Sequence, residues 1–176
     1  NSGTNFTLKS NFQVIVYGSV VNNGTLIVES NASFVHRDNA STYSGSGTAL
    51  VKREANLKRN DYNYWSSPVA NQNIYNFSIG TPTKYFFKYN EKYYRFYANE
   101  ITASSNFEPG IGYAIRGKDS YELATPTTET FLFSGIPNNG TYSYVLKRSA
   151  GNDKGYNLVG NPYPSNLNLQ SFAKSA

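Results

Sequence analysis

Apolar and polar residues alternate in short runs along nearly the whole chain, and Asn, Gly, Ser and Pro interrupt each run before it grows long. Alternation with a period of two puts one set of side chains on one face of a strand, so the pattern predicts an all-β protein with many turns. From Tyr62 onward the expected strands are 62–65, 85–89, 93–98, 112–116, 130–134, 142–147 and 156–159. Turn signals at Asn90-Glu91, Pro109-Gly110, Pro137-Asn138-Asn139-Gly140 and Gly160-Asn161-Pro162 separate them, as in a β-sandwich. Only 168–176 reads as helix.

Before Tyr62 the pattern repeats. Phe6, Leu8, Lys9, Ser10 and Asn11 recur as Leu26, Val28, Glu29, Ser30 and Asn31 at a spacing of 20, and Thr48 and Leu50 open a looser third copy. That spacing suits one rung of a β-solenoid, in which each turn of chain buries its apolar side by stacking on the next. An antiparallel meander with a chance repeat is the competing reading. The polar stretch 53–62 reads as a connector, so the expected division is a solenoid-like or meander segment over 1–53 and an aromatic-rich, β-sandwich-like module over 54–176.

One hairpin can be worked out face by face. A two-residue loop at Asn90-Glu91 pairs Tyr89 with Lys92 and Tyr85 with Phe96. Alternation then turns Tyr85, Phe87, Tyr94 and Phe96 to the core and leaves Lys84, Phe86, Lys88, Tyr93, Arg95 and Tyr97 outside. Flat apolar rings edged by polar groups suit stacking on sugars. With Trp65 added, the candidate ligand-binding residues are Trp65, Phe86, Tyr93, Arg95 and Tyr97. Packing beneath a neighbouring strand is their competing, structural role.

Composition narrows the chemistry. The 176 residues include no Cys, which excludes disulfides, thiol catalysis and Cys-ligated metals. The formal net charge of +5 is carried by scattered Lys and Arg, without the clustering that a nucleic-acid footprint needs. No apolar run approaches the roughly 18 residues of a membrane-spanning helix. His36, the single imidazole, adjoins Arg37 and Asp38, and strand alternation would point neighbouring side chains to opposite faces, so no Ser-His-Asp site is expected and His36 is read as solvent-facing. Glu91, Glu100, Glu108, Asp119, Glu122 and Glu129 sit near turns, and most are read as solvated. "GIGYAIRG" at 110–117 lacks the spacing of a dinucleotide loop, and "GNDKG" at 151–155 lacks the acidic alternation of an EF-hand. The expectation is a non-catalytic chain with no metal or cofactor, save room for a structural calcium at a carbonyl-rich corner.

Four phrases carry a family resemblance: "YNYWSSPV" at 62–69, "EPGIGYAIRG" at 108–117, "FSGIPNNGTYSY" at 133–144 and "GYNLVGNPYPS" at 155–165. In this order they resemble a module of large surface and secreted proteins exported by the type IX secretion system of gliding bacteria, over about 43–165. The resemblance implies export across the outer membrane, contact with the secretion machinery, and a place outside the cell or on its outer surface. Such modules follow solenoid-like segments and precede a C-terminal sorting domain. No sorting domain lies within these residues, so the export signal is expected elsewhere. Similar proteins continue with further strands after the GNPYPS phrase, so another β-rich segment is expected to complete the sheet. The resemblance brings no catalytic residues. In the phrase itself, Tyr156, Leu158 and Val159 are expected to form a buried strand, with Pro162 and Pro164 stiffening the corner that follows. The first functional expectation is a structural or adhesive passenger segment of a type IX secreted surface protein. The second is a carbohydrate-binding accessory module of an exported polysaccharide-degrading enzyme.

Overall fold

A computed structural model of the chain describes residues 3–151 and 154–174 and shows an all-β architecture. Asn152 and Asp153 of the GNDKG stretch, Ser175 and Ala176 of the tail, and the first two residues lie outside the described residues.

The sequence repeat folds as stacked rungs. The first rung is β1 (Asn5–Leu8), β2 (Gln13–Val16) and β3 (Val20–Val21), and the second is β4 (Thr25–Val28), β5 (Ser33–His36) and β6 (Tyr43–Ser44). β7 (Thr48–Leu57) opens the third. β1 pairs parallel with β4, Leu8 opposite Val28, and β2 with β5, Gln13 opposite Ser33. β4 in turn pairs parallel with β7, Thr25 opposite Thr48, and β3 with β6. Neighbouring strands of a meander would run antiparallel, so these ladders are those of a solenoid. Leu8, Val28 and Val51 form one buried row across the rungs. Asn11 and Asn31 hold equivalent corners in left-handed backbone, at φ 67° and 64°, a conformation Asn tolerates well. Backbones approach so closely at another corner that a Cβ on Gly24 would meet the Thr4 carbonyl oxygen at 2.0 Å. Only glycine fits there.

The chain continues through β8 (Tyr62–Trp65), a short helix α1 (Ile74–Phe77), β9 (Phe86–Asn90), β10 (Arg95–Tyr97), β11 (Tyr113–Arg116) and β12 (Thr127–Ser134) to α2 (Leu169–Lys174). One four-stranded sheet has the order β1-β4-β7-β12 and the other β10-β9-β11-β8. β7 runs through Arg53 beyond the last rung and pairs antiparallel with β12, Leu57 opposite Thr127, so a single strand serves both the solenoid and the module. The two sheets face each other across an aromatic core. Trp65 lies 4.7 Å from Phe131, Phe77 4.3 Å from Phe133, and Phe107 5.1 Å from Tyr113. Leu8, Val28 and Val51 belong to the same continuous core.

Three expectations are corrected. The hairpin closes through a 3-10 turn at Glu91–Tyr93 with Tyr94 left-handed at φ 53°, and Arg95, not Lys92, begins the pairing, opposite Asn90. The face division survives but its sense is reversed: Phe86 is fully buried, whereas Phe96 is exposed. The cause is β11, which pairs with both β9 and β8 and aligns Phe86 with the buried Ile115. Residues 142–147 form no strand, and 156–159 contributes a single bridge, Val159 to Ile111. A side chain replaces the ladder between these segments: Lys147 N donates to Asn157 Oδ1 at 3.1 Å and Asn157 Nδ2 donates to the Lys147 carbonyl at 2.9 Å. Tyr156 is accordingly exposed, its ring 5.7 Å from Tyr94.

The corner that follows fastens distant parts together. Asn138 Nδ2 donates to the carbonyls of Ser67 and Pro162, at 3.1 and 2.9 Å. Tyr163 Oη donates to the Gly140 carbonyl at 2.6 Å, Phe34 N of β5 donates to the Pro164 carbonyl at 2.8 Å, and Asn166 N donates to Ser33 Oγ at 3.2 Å. Among the described residues no helix is long and apolar enough to cross a membrane.

Candidate functional site

Alternation along four short strands builds an aromatic surface. In the β10-β9-β11-β8 sheet, Tyr64 lies opposite Ala114, which lies opposite Phe87; Tyr62 lies opposite Arg116, and Tyr89 opposite Phe96. Partners across a ladder share a face, so Tyr62, Tyr64, Phe87, Tyr89 and Phe96 all look away from the core that Trp65, Phe86 and Tyr113 enter. The rings touch in sequence. Tyr62 is 5.7 Å from Phe87, and Phe96 is 5.2 Å from Tyr89. Tyr64 and Phe96 lie 6.1 Å apart with their planes within 12° of parallel. Ala114 sits beneath them, small enough for the rings to lean over it, and is itself 4% exposed. Tyr64, by contrast, is 61% exposed and Tyr62 45%. Arg116 anchors one end of the face under the Tyr85 ring, 3.7 Å from its centroid, and pairs with Asp119. Burial raises the Tyr62 phenol above its ordinary value, with the Arg116 cation opposing, and burial likewise raises Tyr89. Both stay neutral at physiological pH.

β8 is an edge strand, and at its Trp65 end the aromatic face runs into a cleft of about 350 Å³. Arg53 and Glu54 of β7 form one wall, and Gly160, Asn161 and Asn166 of the corner form the other. Tyr64 and Ser66 also line it. Arg53 follows Val51 on the inward side of β7, and burial lowers its pKa. Its Nη1 donates to the Lys52 carbonyl at 2.8 Å, and among the described residues no carboxylate pairs with it. Ser66 Oγ is buried in the cleft wall without a hydrogen-bond partner among the described residues.

A cleft of about 640 Å³ contains Glu91. Glu91 is 5% exposed, not solvated as a turn residue would be, and accepts from Ser149 N at 2.9 Å, Ser149 Oγ at 2.7 Å and Gly155 N at 2.8 Å. These donors, Ser149 N foremost, hold its pKa below the ordinary value. His36 is half-buried against Phe34, 5.4 Å away, which corrects its reading as solvent-facing. Burial lowers its pKa, and Nε2 is enclosed without a partner among the described residues. Asp38 does not orient it, because its carboxylate instead accepts from Ala40 N and Ser41 Oγ. Other carboxylates are bound up in local pairs, Glu108 with Lys88 and Tyr113, and Glu129 with Lys118 and Tyr121. No cluster of three or more metal-binding side chains occurs among the described residues.

The candidates read from the sequence divide into two groups. Trp65 packs in the core against Phe77 and Phe131 while also lining the cleft, and Phe86 is fully buried against Tyr75 at 5.0 Å, so neither belongs to the outward aromatic face. Tyr93, Arg95 and Tyr97 do come together at the β9–β10 turn, Tyr93 5.7 Å from Tyr97 and the Arg95 guanidinium 4.5 Å above the Tyr97 ring. The larger surface of Tyr62, Tyr64, Phe87, Tyr89 and Phe96 is not visible from the hairpin alone, although its alternation puts Phe87 and Phe96 on one face. The missing signal was the inward Trp65, which sends Tyr64 beside it outward.

One family matches the whole chain, residues 1–176: a domain of unknown function, DUF8693. No curated protein and no solved structure matches.

Proposed function

Because the chain belongs to the DUF8693 family along its whole length, and that family's description assigns no activity, we propose a function from the surface itself: a non-catalytic, saccharide-binding passenger module of an exported surface protein. The observation that carries the reading is the uncovered row of Tyr62, Tyr64 and Phe96 adjoining a polar cleft. Sugars present apolar C–H faces rimmed by hydroxyls. An outward aromatic sheet face supplies the apolar contact, and the exposed Asn166 supplies hydrogen-bonding groups at its edge. Nearly parallel rings at Tyr64 and Phe96 suit successive sugar units better than a single buried ligand.

The type IX resemblance supports an extracellular or outer-surface setting for such a module. The same surface serves either an adhesive passenger or an accessory module beside a polysaccharide-degrading enzyme.

Affinity electrophoresis through gels containing polysaccharides tests the proposal. Wild type is expected to be retarded by at least one polysaccharide, and Tyr64→Ala and Phe96→Ala to migrate freely while keeping the wild-type melting temperature. Equal retardation of wild type and both variants would overturn the assignment of the site.

A further inference from the structure

Arg53 is out of place by the ordinary rules of a core-facing strand position. Its neighbours on the inward side of β7, Val51 and Ala55, pack in or against the core, and its partner across the ladder is Phe131 in the aromatic core. A guanidinium has five N–H donors, and removing it from water without a paired acceptor is costly. Yet the one hydrogen bond it makes among the described residues is to the Lys52 carbonyl. Glu54 lines the same cleft but forms no ion pair with it; its exposed side chain lies on the alternate face of β7. Ser66, just past the end of β8, lines the same cleft, and its buried Oγ has no hydrogen-bond partner among the described residues. A half-buried cation with one protein hydrogen bond and an unpartnered hydroxyl thus line a cleft whose volume of about 350 Å³ lies in the range that holds a small ligand.

We infer that this cleft is a subsite for the oxyanion substituent of an acidic saccharide, a carboxylate or a sulfate, received by Arg53 with Ser66 beside it. The inference rests on the saccharide-binding reading and names its substrate class. Arginine suits the task because its planar fork meets two oxygens of one oxyanion at once. Position matters as much as charge: a sugar ring over the exposed Tyr64 lies at the mouth of the cleft, so one saccharide can engage both. The net charge of +5 favours approach of an acidic polymer without itself choosing the site.

The test compares retention by neutral glucans (dextran, laminarin), a carboxylated polymer (polygalacturonate) and a sulfated one (dextran sulfate), for wild type, Arg53→Met, Arg53→Gln and Ser66→Ala. Wild type is expected to bind an acidic polymer about tenfold or more tightly than the neutral ones, with affinity falling as salt rises. Retention by polygalacturonate identifies a carboxylate ligand, and by dextran sulfate a sulfate. Arg53→Met and Arg53→Gln are expected to lose the acidic preference while melting at or above the wild-type temperature, because an unpaired, part-buried charge has been removed. Ser66→Ala is expected to lose a smaller part of it. Acidic binding unchanged in both Arg53 variants would overturn the subsite and leave the aromatic surface standing. Binding of neutral glucans alone would do the same. Failure of wild type to bind any of the polymers would overturn both readings.

Discussion

Trp65 turns its indole between the two sheets, 5.0 Å from Phe77 and 4.7 Å from Phe131, while Tyr64 beside it turns outward and stays 61% exposed. Their substitutions should therefore separate stability from binding. Trp65→Ala empties part of the core and is expected to cost about 3–5 kcal/mol in urea unfolding, whereas Tyr64→Ala should change stability by about 0.5 kcal/mol or less and abolish saccharide retention. A Trp65→Ala protein as stable as wild type would show that the indole is not a core group. Glu91 allows a second prediction. Its pKa is held below the ordinary 4.5 in the folded chain, so its stabilising effect is present above that pH and is lost as pH falls through the lowered value. The protection factors of the Ser149 and Gly155 amides, which donate to Glu91, measured against the intrinsic exchange rate at each pH, should fall on acidification below pH 4.5 and be low at neutral pH in Glu91→Gln. Amide protection that is indifferent to pH and to the substitution would contradict the clasp.

At the level of elements, legibility in the sequence followed distance along the chain. The rungs were readable because Asn11 and Asn31, or Leu8 and Val28, occupy equivalent places in adjacent copies and need no distant partner. The sense of the β9–β10 hairpin was not readable, because β11 and the partner sheet decide which face turns inward. The candidate site is obscured with it: alternation alone puts Phe86 outside and Phe87 and Phe96 inside, and Arg53 reads only as the start of a polar connector. Glu91 reads as solvated for the same reason, since its donor Ser149 lies 58 residues away. Segments 142–147 and 156–159 carry strand-like alternation, but Asn157 occupies the Lys147 backbone groups that a ladder would use. The rungs themselves can be tested at Gly24, where an added Cβ would stand 2.0 Å from the Thr4 carbonyl oxygen. Gly24→Ala should destabilise by about 1–3 kcal/mol through that clash, measured by chemical denaturation, and a neutral result would mean the rungs are not stacked this closely.

Across the whole molecule, the solenoid and the aromatic module share β7 and one continuous core, and the corner at 160–166 ties both together. That corner also supplies Gly160, Asn161 and Asn166 to the cleft opposite Arg53, so the subsite exists only where the two parts are docked. Unfolding should therefore appear as one transition by both circular dichroism and Trp65 fluorescence, and two separated transitions would show independent units. Asn138→Ala removes the donor shared by the Ser67 and Pro162 carbonyls and should cost about 1–3 kcal/mol while exposing the corner to proteolysis. The most direct measurement of the central claim is a crystal structure of the chain with an oligosaccharide from the polymer it retains. The account predicts a sugar ring lying over Tyr64 and Phe96, with its acidic group against the Arg53 guanidinium. Sugar bound instead in the cleft beside Glu91, with Tyr64 and Arg53 bare, would contradict it.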